Sequence, residues 1–140
     1  MNPQERAQLE EIRTKLYRFQ VPIDLTFAGA GAQVAYPAKS GHHFFHIQSL
    51  YLVVYTTGVR SIRLWSDIDP TILQDLLTGW MNISSAVQNI LGPFVWVLPF
   101  DAKKKGDNFV IEVNGACQIG GFVQGWEDPV EHPVKIPMVL

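Results

Sequence analysis

His42-His43-Phe44-Phe45-His46 is the densest run of chemistry-capable side chains in the sequence. Three imidazoles within five positions could hold a metal ion if the segment were helical, because residues four apart share a helix face and neutral imidazole is a good zinc ligand. The flanking Phe44, Phe45 and Ile47 point instead to a strand, on which His42 and His46 share a face but stand about 13 Å apart, too far for one ion. The other candidate nucleophiles and bases are isolated. Cys117, the single cysteine, lies in Gly115-Ala116-Cys117-Gln118-Ile119 with no basic neighbour to favour the thiolate, and reads as a small buried thiol. Ser61 and Ser66 lack the context of a nucleophile elbow. Asp67 and Asp69 sit two apart before Pro70, where capping accounts for Asp69. His132 has Glu131 beside it and no second group to orient it as a base. No catalytic residue, metal ligand or cofactor is assigned from these positions. The alternative reading is a small-ligand- or metal-binding domain, or a minor enzyme, using His42, His43 and His46 beneath the loop at residues 28–32.

That loop, Ala-Gly-Ala-Gly-Ala, resembles a phosphate cradle only superficially. It lacks a third glycine and runs into Tyr36-Pro37 rather than a helix N-terminus, so no amides are aimed at a phosphate. Lys103-Lys104-Lys105 is the one local concentration of charge, read as a solvated hairpin tip or a contact for an acidic partner or phosphate backbone. A net charge of −2 excludes a general nucleic-acid binder and leaves those lysines as the sole route to a phosphate backbone. A single cysteine excludes a disulfide framework within the 140 residues. The polar, charged start of the chain does not read as a secretion signal, which gives a cytoplasmic expectation.

The elements that would position these groups can be read from spacing. Asn2-Pro3-Gln4-Glu5 predicts a capping box opening a helix over 2–19, with Leu9, Ile12, Leu16 and Phe19 as its apolar stripe and Pro22 beyond its end. Ile23, Leu25 and Phe27 alternate as a short strand. A long β-rich run covers 42–57, with a bend expected near Gln48-Ser49 and cover on both faces from Leu50 to Tyr55. A second strand follows over 59–65. Asp69-Pro70 then predicts a second helix over 70–91, with Leu73, Leu76, Leu77, Trp80, Ser84, Val87 and Leu91 on one stripe and Gly79 closely packed or at a slight bend. Strands over 94–100 and 109–113 read as a hairpin around the lysine tip. Gly115, Gly120, Gly121 and Gly125 allow curvature or close backbone approach on the return. Pro129, Pro133 and Pro137 suppress helix and leave an extended arm ending in Met138-Val139-Leu140.

The expected fold is therefore an α+β single domain over 1–126, mostly antiparallel sheet packed with two helices, followed by an extended arm over 127–140. From Leu76 to Phe100 there is no Asp, Glu, Lys or Arg in 25 positions. Asn82, Ser84, Ser85, Gln88, Asn89 and Gly92-Pro93 interrupt that stretch, so a membrane span is excluded and a surface covered by other subunits is expected. Helix 2–19, β segment 42–65, helix 70–91 and hairpin 94–125 follow an order similar to that of the tail-terminator and tail-completion proteins of long-tailed bacteriophages. The resemblance implies a non-catalytic, ring-forming virion subunit. On this reading the chain is a homo-oligomeric structural subunit that meets other assembly proteins, located in the cytoplasm or the virion. Lys103, Lys104, Lys105, Trp126, Met138, Val139 and Leu140 are its candidate contact residues.

Overall fold

The computed structural model describes residues 2–16, 18–55, 61–82, 94–96 and 100–128. These form one helix, α1 (Pro3–Leu16), and nine strands: β1 (Arg18–Phe27), β2 (Gly31–Tyr36), β3 (Phe44–Val54), β4 (Ser61–Asp67), β5 (Met81–Asn82), β6 (Phe94–Trp96), β7 (Phe100–Asp101), β8 (Asn108–Val113) and β9 (Cys117–Asp128). One sheet, here sheet A, has the order β1-β9-β3-β6 with β7 also on β3; sheet B has the order β2-β8-β4-β5. Every pairing is antiparallel. The first four strands therefore pair with the later ones in reverse sequence order, β1 with β9, β2 with β8, β3 with β6 and β7, β4 with β5. The resulting long ribbon is folded over so that successive rungs fall in opposite sheets, which is the jelly-roll arrangement.

The two sheets bury one core between them. Phe19, Ile23 and Phe27 of β1, Phe45, Leu50 and Leu52 of β3, Ile62 and Leu64 of β4, Phe109 and Ile111 of β8, and Ile119 and Val123 of β9 belong to a single buried cluster. Aromatic contacts cross the gap. The Phe19 ring stacks on Tyr36 at 3.8 Å between centroids, and Phe45 meets Phe109 edge-on at 5.8 Å.

This architecture overturns the α+β expectation: the chain is a β-sandwich with one helix among the described residues. The predicted capping box forms, with Glu5 N–H donating to Asn2 Oδ1 at 2.8 Å. The helix nevertheless stops at Leu16, and Phe19 leaves the expected apolar stripe to become a core residue of β1. Pro22 lies inside β1 rather than closing a helix. It costs the sheet no ladder bond, because β1 is an edge strand whose Thr26 carbonyl, four residues on and in phase with Pro22, is turned away from β9 to accept from Gln33 Nε2 at 2.7 Å. The expected hairpin around the lysines is also absent. β7 belongs to sheet A and β8 to sheet B, so residues 102–107 carry the chain from one sheet to the other.

Two expectations for the long strands hold. The β3–β9 register shifts between Ile47 and Ser49, where the bend was expected. Close approach explains Gly121 and Gly125: a Cβ at either would lie 1.9 Å from a β3 carbonyl oxygen, of Tyr51 and His46 respectively. Cover on both faces of Leu50–Tyr55 does not hold throughout, since Leu50, Leu52 and Val54 are buried while Tyr51 and Val53 are half-exposed and Tyr55 is exposed. Tyr51 instead stacks on Phe122 across the outer face of sheet A at 5.1 Å.

Candidate assembly surface

The predicted helix over 70–91 is absent over 70–82, and residues 83–91 lie outside the described residues. Its start signal works only for one turn. Asp69 Oδ1 accepts from the N–H and hydroxyl of Thr71 at 2.8 and 2.7 Å, and Ile72 N–H reaches Asp69 C=O at 3.1 Å. The buried Asp67 carboxylate then takes the amides of Gln74 and Asp75 at 3.2–3.3 Å, donors that a helix would have turned to its own carbonyls. Beyond that point β4 captures the chain: Ser66 N–H donates to Asp75 C=O at 2.9 Å and Leu77 N–H to Leu64 C=O at 2.8 Å. Gly79 is not closely packed, for a Cβ there would meet nothing within 4 Å.

Leu76 and Trp80, which the expected helix would have turned into a core, now lie with Ile68 and Ile72 along the edge of the molecule. Ile68, Ile72, Leu76 and Trp80 are 66%, 57%, 42% and 47% exposed, while Leu77 and Met81 pack against the core. Leu76 bridges Trp65 and Met81 pairs with Ile62, so the lower part of this strip follows the outer side of β4. Trp80 is held in place. The Arg63 guanidinium lies 4.3 Å from its ring centroid and 5.0 Å from that of Trp65. Glu112 Oε1 accepts from both Arg63 Nε and Trp65 Nε1. An exposed tryptophan fixed by a partly buried network is the kind of side chain that anchors protein interfaces.

The upper end of the strip borders an open cleft of about 180 Å³ with Asp67, Asp75, Asp107 and Lys104 in its wall. Here the lysine-bearing loop is clamped. Lys103 N–H donates to Ser66 Oγ at 2.9 Å and Ser66 Oγ to Asp107 Oδ2 at 2.7 Å. Lys104 N–H also reaches Asp107 at 3.1 Å, and its Nζ lies 3.5 Å from Asp75. Burial, reinforced by the charges of Asp67 and Asp75, raises the Asp107 carboxyl above its ordinary range against the pull of the Ser66 and Lys104 hydrogen bonds. Lys103, Lys104 and Lys105 are exposed, while Trp126 is half-buried on β9 with its ring 5.3 Å from His46. Met138, Val139 and Leu140 lie outside the described residues.

The histidines are not brought together. His42 is exposed on a turn; His43 Nδ1 lies 3.6 Å from Glu127, and the buried His46 places Nδ1 2.8 Å from Asp101. Among the described residues no group of three or more His, Cys, Asp or Glu could hold a metal ion. Glu127, which sequence reading did not single out, joins the two sheets. It accepts from the Tyr36 hydroxyl and from Lys39 N–H at 3.0 Å. Burial, with that hydrogen bond and charge, holds the Tyr36 phenol far above its usual range. No signal in sequence marked this pair, because the two residues stand 91 positions apart.

No family model and no curated protein matches the sequence. Among solved structures, a chain from the work "Bacillus endospore appendages form a novel family of disulfide-linked pili" is 21% identical, covering 79% of this chain and 84% of that one, with a TM-score of 0.44. A likeness of that size assigns this chain neither fold nor function. Among the described residues no helix is long and apolar enough to cross a membrane.

Proposed function

We propose that this chain is a non-enzymatic structural subunit that assembles with copies of itself through the edge of sheet B. One observation supports the reading: Ile68, Ile72, Leu76 and Trp80 form an exposed apolar strip beside a sheet edge, on a rigid sandwich. Burying such a strip against a second surface removes apolar area from water, and Trp80 supplies a preorganised anchor. The charged groups beside it, Lys104 with Asp75, set register and partner choice more than affinity. The ring-forming virion resemblance rested on an order of helices and strands that the sandwich does not have, so it adds nothing to this reading. The histidine-centred alternative gains no support either, because each of His43 and His46 faces its own carboxylate.

Sedimentation velocity over a concentration series tests the proposal. The intact chain is expected to sediment as an oligomer at tens of micromolar. The double substitution Ile72→Glu with Leu76→Glu is expected to shift it to monomer, with unchanged circular dichroism because both side chains are already exposed. A strictly monomeric intact chain at high concentration overturns the proposal.

A further inference from the structure

We infer that the chain assembles as a closed two-fold dimer in which Trp80 of each copy enters the cleft beside Ile68 and Ile72 of the other. The inference rests on the self-assembly reading above and names the surface that receives the strip. Tryptophan and cleft stand on one face of the molecule. Ile62 and Leu64 of β4 belong to the core, so alternation along the strand turns Arg63, Trp65 and Asp67 to the outside of sheet B. Trp80 lies over Arg63, and Asp67 lines the cleft. Four residues of strand separate the two, about 13 Å, so the ring held over Arg63 does not reach the cleft of its own chain. Leu76 sits between them, bridged to Trp65 midway along the same row. Consider a two-fold axis between two facing copies, at right angles to the line from Trp80 to the cleft and crossing it near Leu76. Such an axis carries each tryptophan onto the other copy's cleft, whatever their separation along the strip. One patch then serves both partners, both contacts form together, and no second strip is left exposed for a third copy.

The cleft suits an indole in size and in chemistry. Its volume of about 180 Å³ exceeds the ~150 Å³ of a cavity that admits benzene, so an aromatic ring has room to enter. Ile68 and Ile72 supply apolar wall for the ring. Asp69 uses one carboxylate oxygen on Thr71, Asp75 one on Lys104 Nζ, and Asp107 one on Ser66 and the Lys104 amide. Each keeps its second oxygen for a further donor. Trp80 brings that donor: its indole N–H meets no acceptor among the described residues. The electropositive edge of the ring also complements a recess walled by carboxylates.

Two experiments test this on the full chain. Leu76→Cys places a thiol at the axis and Ile68→Cys places one at an end of the strip, the native Cys117 being buried. A short bifunctional thiol reagent is expected to join Leu76→Cys chains into covalent dimers and to leave Ile68→Cys chains single. No dimer from the first, or equal yields from both, overturns the inference. In the second experiment Trp80→Ala removes the anchor and Ile72→Glu spoils the cleft. Each alone is expected to sediment as a monomer with unchanged circular dichroism, and Ile68→Glu replaces Ile72→Glu if that chain does not fold. An equal mixture keeps one intact contact, Trp80 of the Ile72→Glu chain in the cleft of the Trp80→Ala chain. Its association is expected to be roughly tenfold or more tighter than that of either variant alone, the scale of an anchoring tryptophan. A mixture no tighter than its components, or an intact chain whose oligomers grow past the dimer, overturns this inference while leaving self-assembly standing. A monomeric intact chain overturns both.

Discussion

Asp107 carries more of the local architecture than any lysine around it. Its carboxylate takes the Ser66 hydroxyl and the Lys104 amide, and so holds the loop between the two sheets against β4. The same enclosure raises its affinity for a proton. Between the ordinary carboxylate range and that raised value, the folded chain keeps a proton that the unfolded chain has released. Stability contributed by this group is therefore full at low pH and lost as pH rises through the window. Asp107→Asn keeps an oxygen that can accept both hydrogen bonds and removes the titration. Urea denaturation between pH 4 and 7 should show a shallower fall in stability for this variant than for the parent chain. An identical slope in both would show that Asp107 does not set it.

At the scale of elements, β9 is the strand on which the sandwich depends, since it pairs with β1 along all of β1 and with β3 through a bulge. Gly125 allows that pairing by bringing β9 against the His46 carbonyl with no side chain between them. Gly125→Ala would drive the two strands apart and is expected to cost about 2 kcal/mol or more. Gly29→Ala, in a loop where a Cβ meets nothing within 4 Å, should stay within about 0.5 kcal/mol of the parent. Thermal melts of the two variants side by side check the contrast, and similar losses would remove the packing explanation. The failed helix over 70–82 belongs to the same scale. A four-residue spacing of apolar side chains fits a helix, yet it also arises when alternate turns and half-strands expose Ile68, Ile72, Leu76 and Trp80 along one edge. What separated the two outcomes was Asp67, whose carboxylate claims two amides at 3.2–3.3 Å.

For the molecule as a whole, association through an apolar strip has a thermal signature. Hydrophobic burial weakens on cooling, whereas contacts between exposed charges weaken with salt. Assembly is thus expected to loosen between 37 and 5 °C and to change little between 50 and 500 mM sodium chloride, as followed by light scattering. Strong dissociation by salt at constant temperature would point to the lysine loop rather than the strip as the principal contact.

Signals confined to a few neighbouring residues were legible in the amino-acid order. The Asn2–Glu5 capping box, the bend at Gln48-Ser49, the close backbone approach at Gly121 and Gly125, and the buried thiol of Cys117 all depend on groups within a turn or on the size of one side chain. Local order also set the alternating apolar faces of the strands. The tertiary structure alone decided which strands share a sheet, because β1 finds β9 and β2 finds β8 across most of the chain, and no spacing encodes a partner so distant. It likewise decided that Tyr36 and Glu127 meet, that His43 and His46 face separate carboxylates, and that a helix-like spacing is drawn out as an edge. Over 70–82 the buried Asp67 carboxylate and the edge of β4 offered the backbone better partners than a helix could, and the side-chain pairs depend on strands that only the fold brings together.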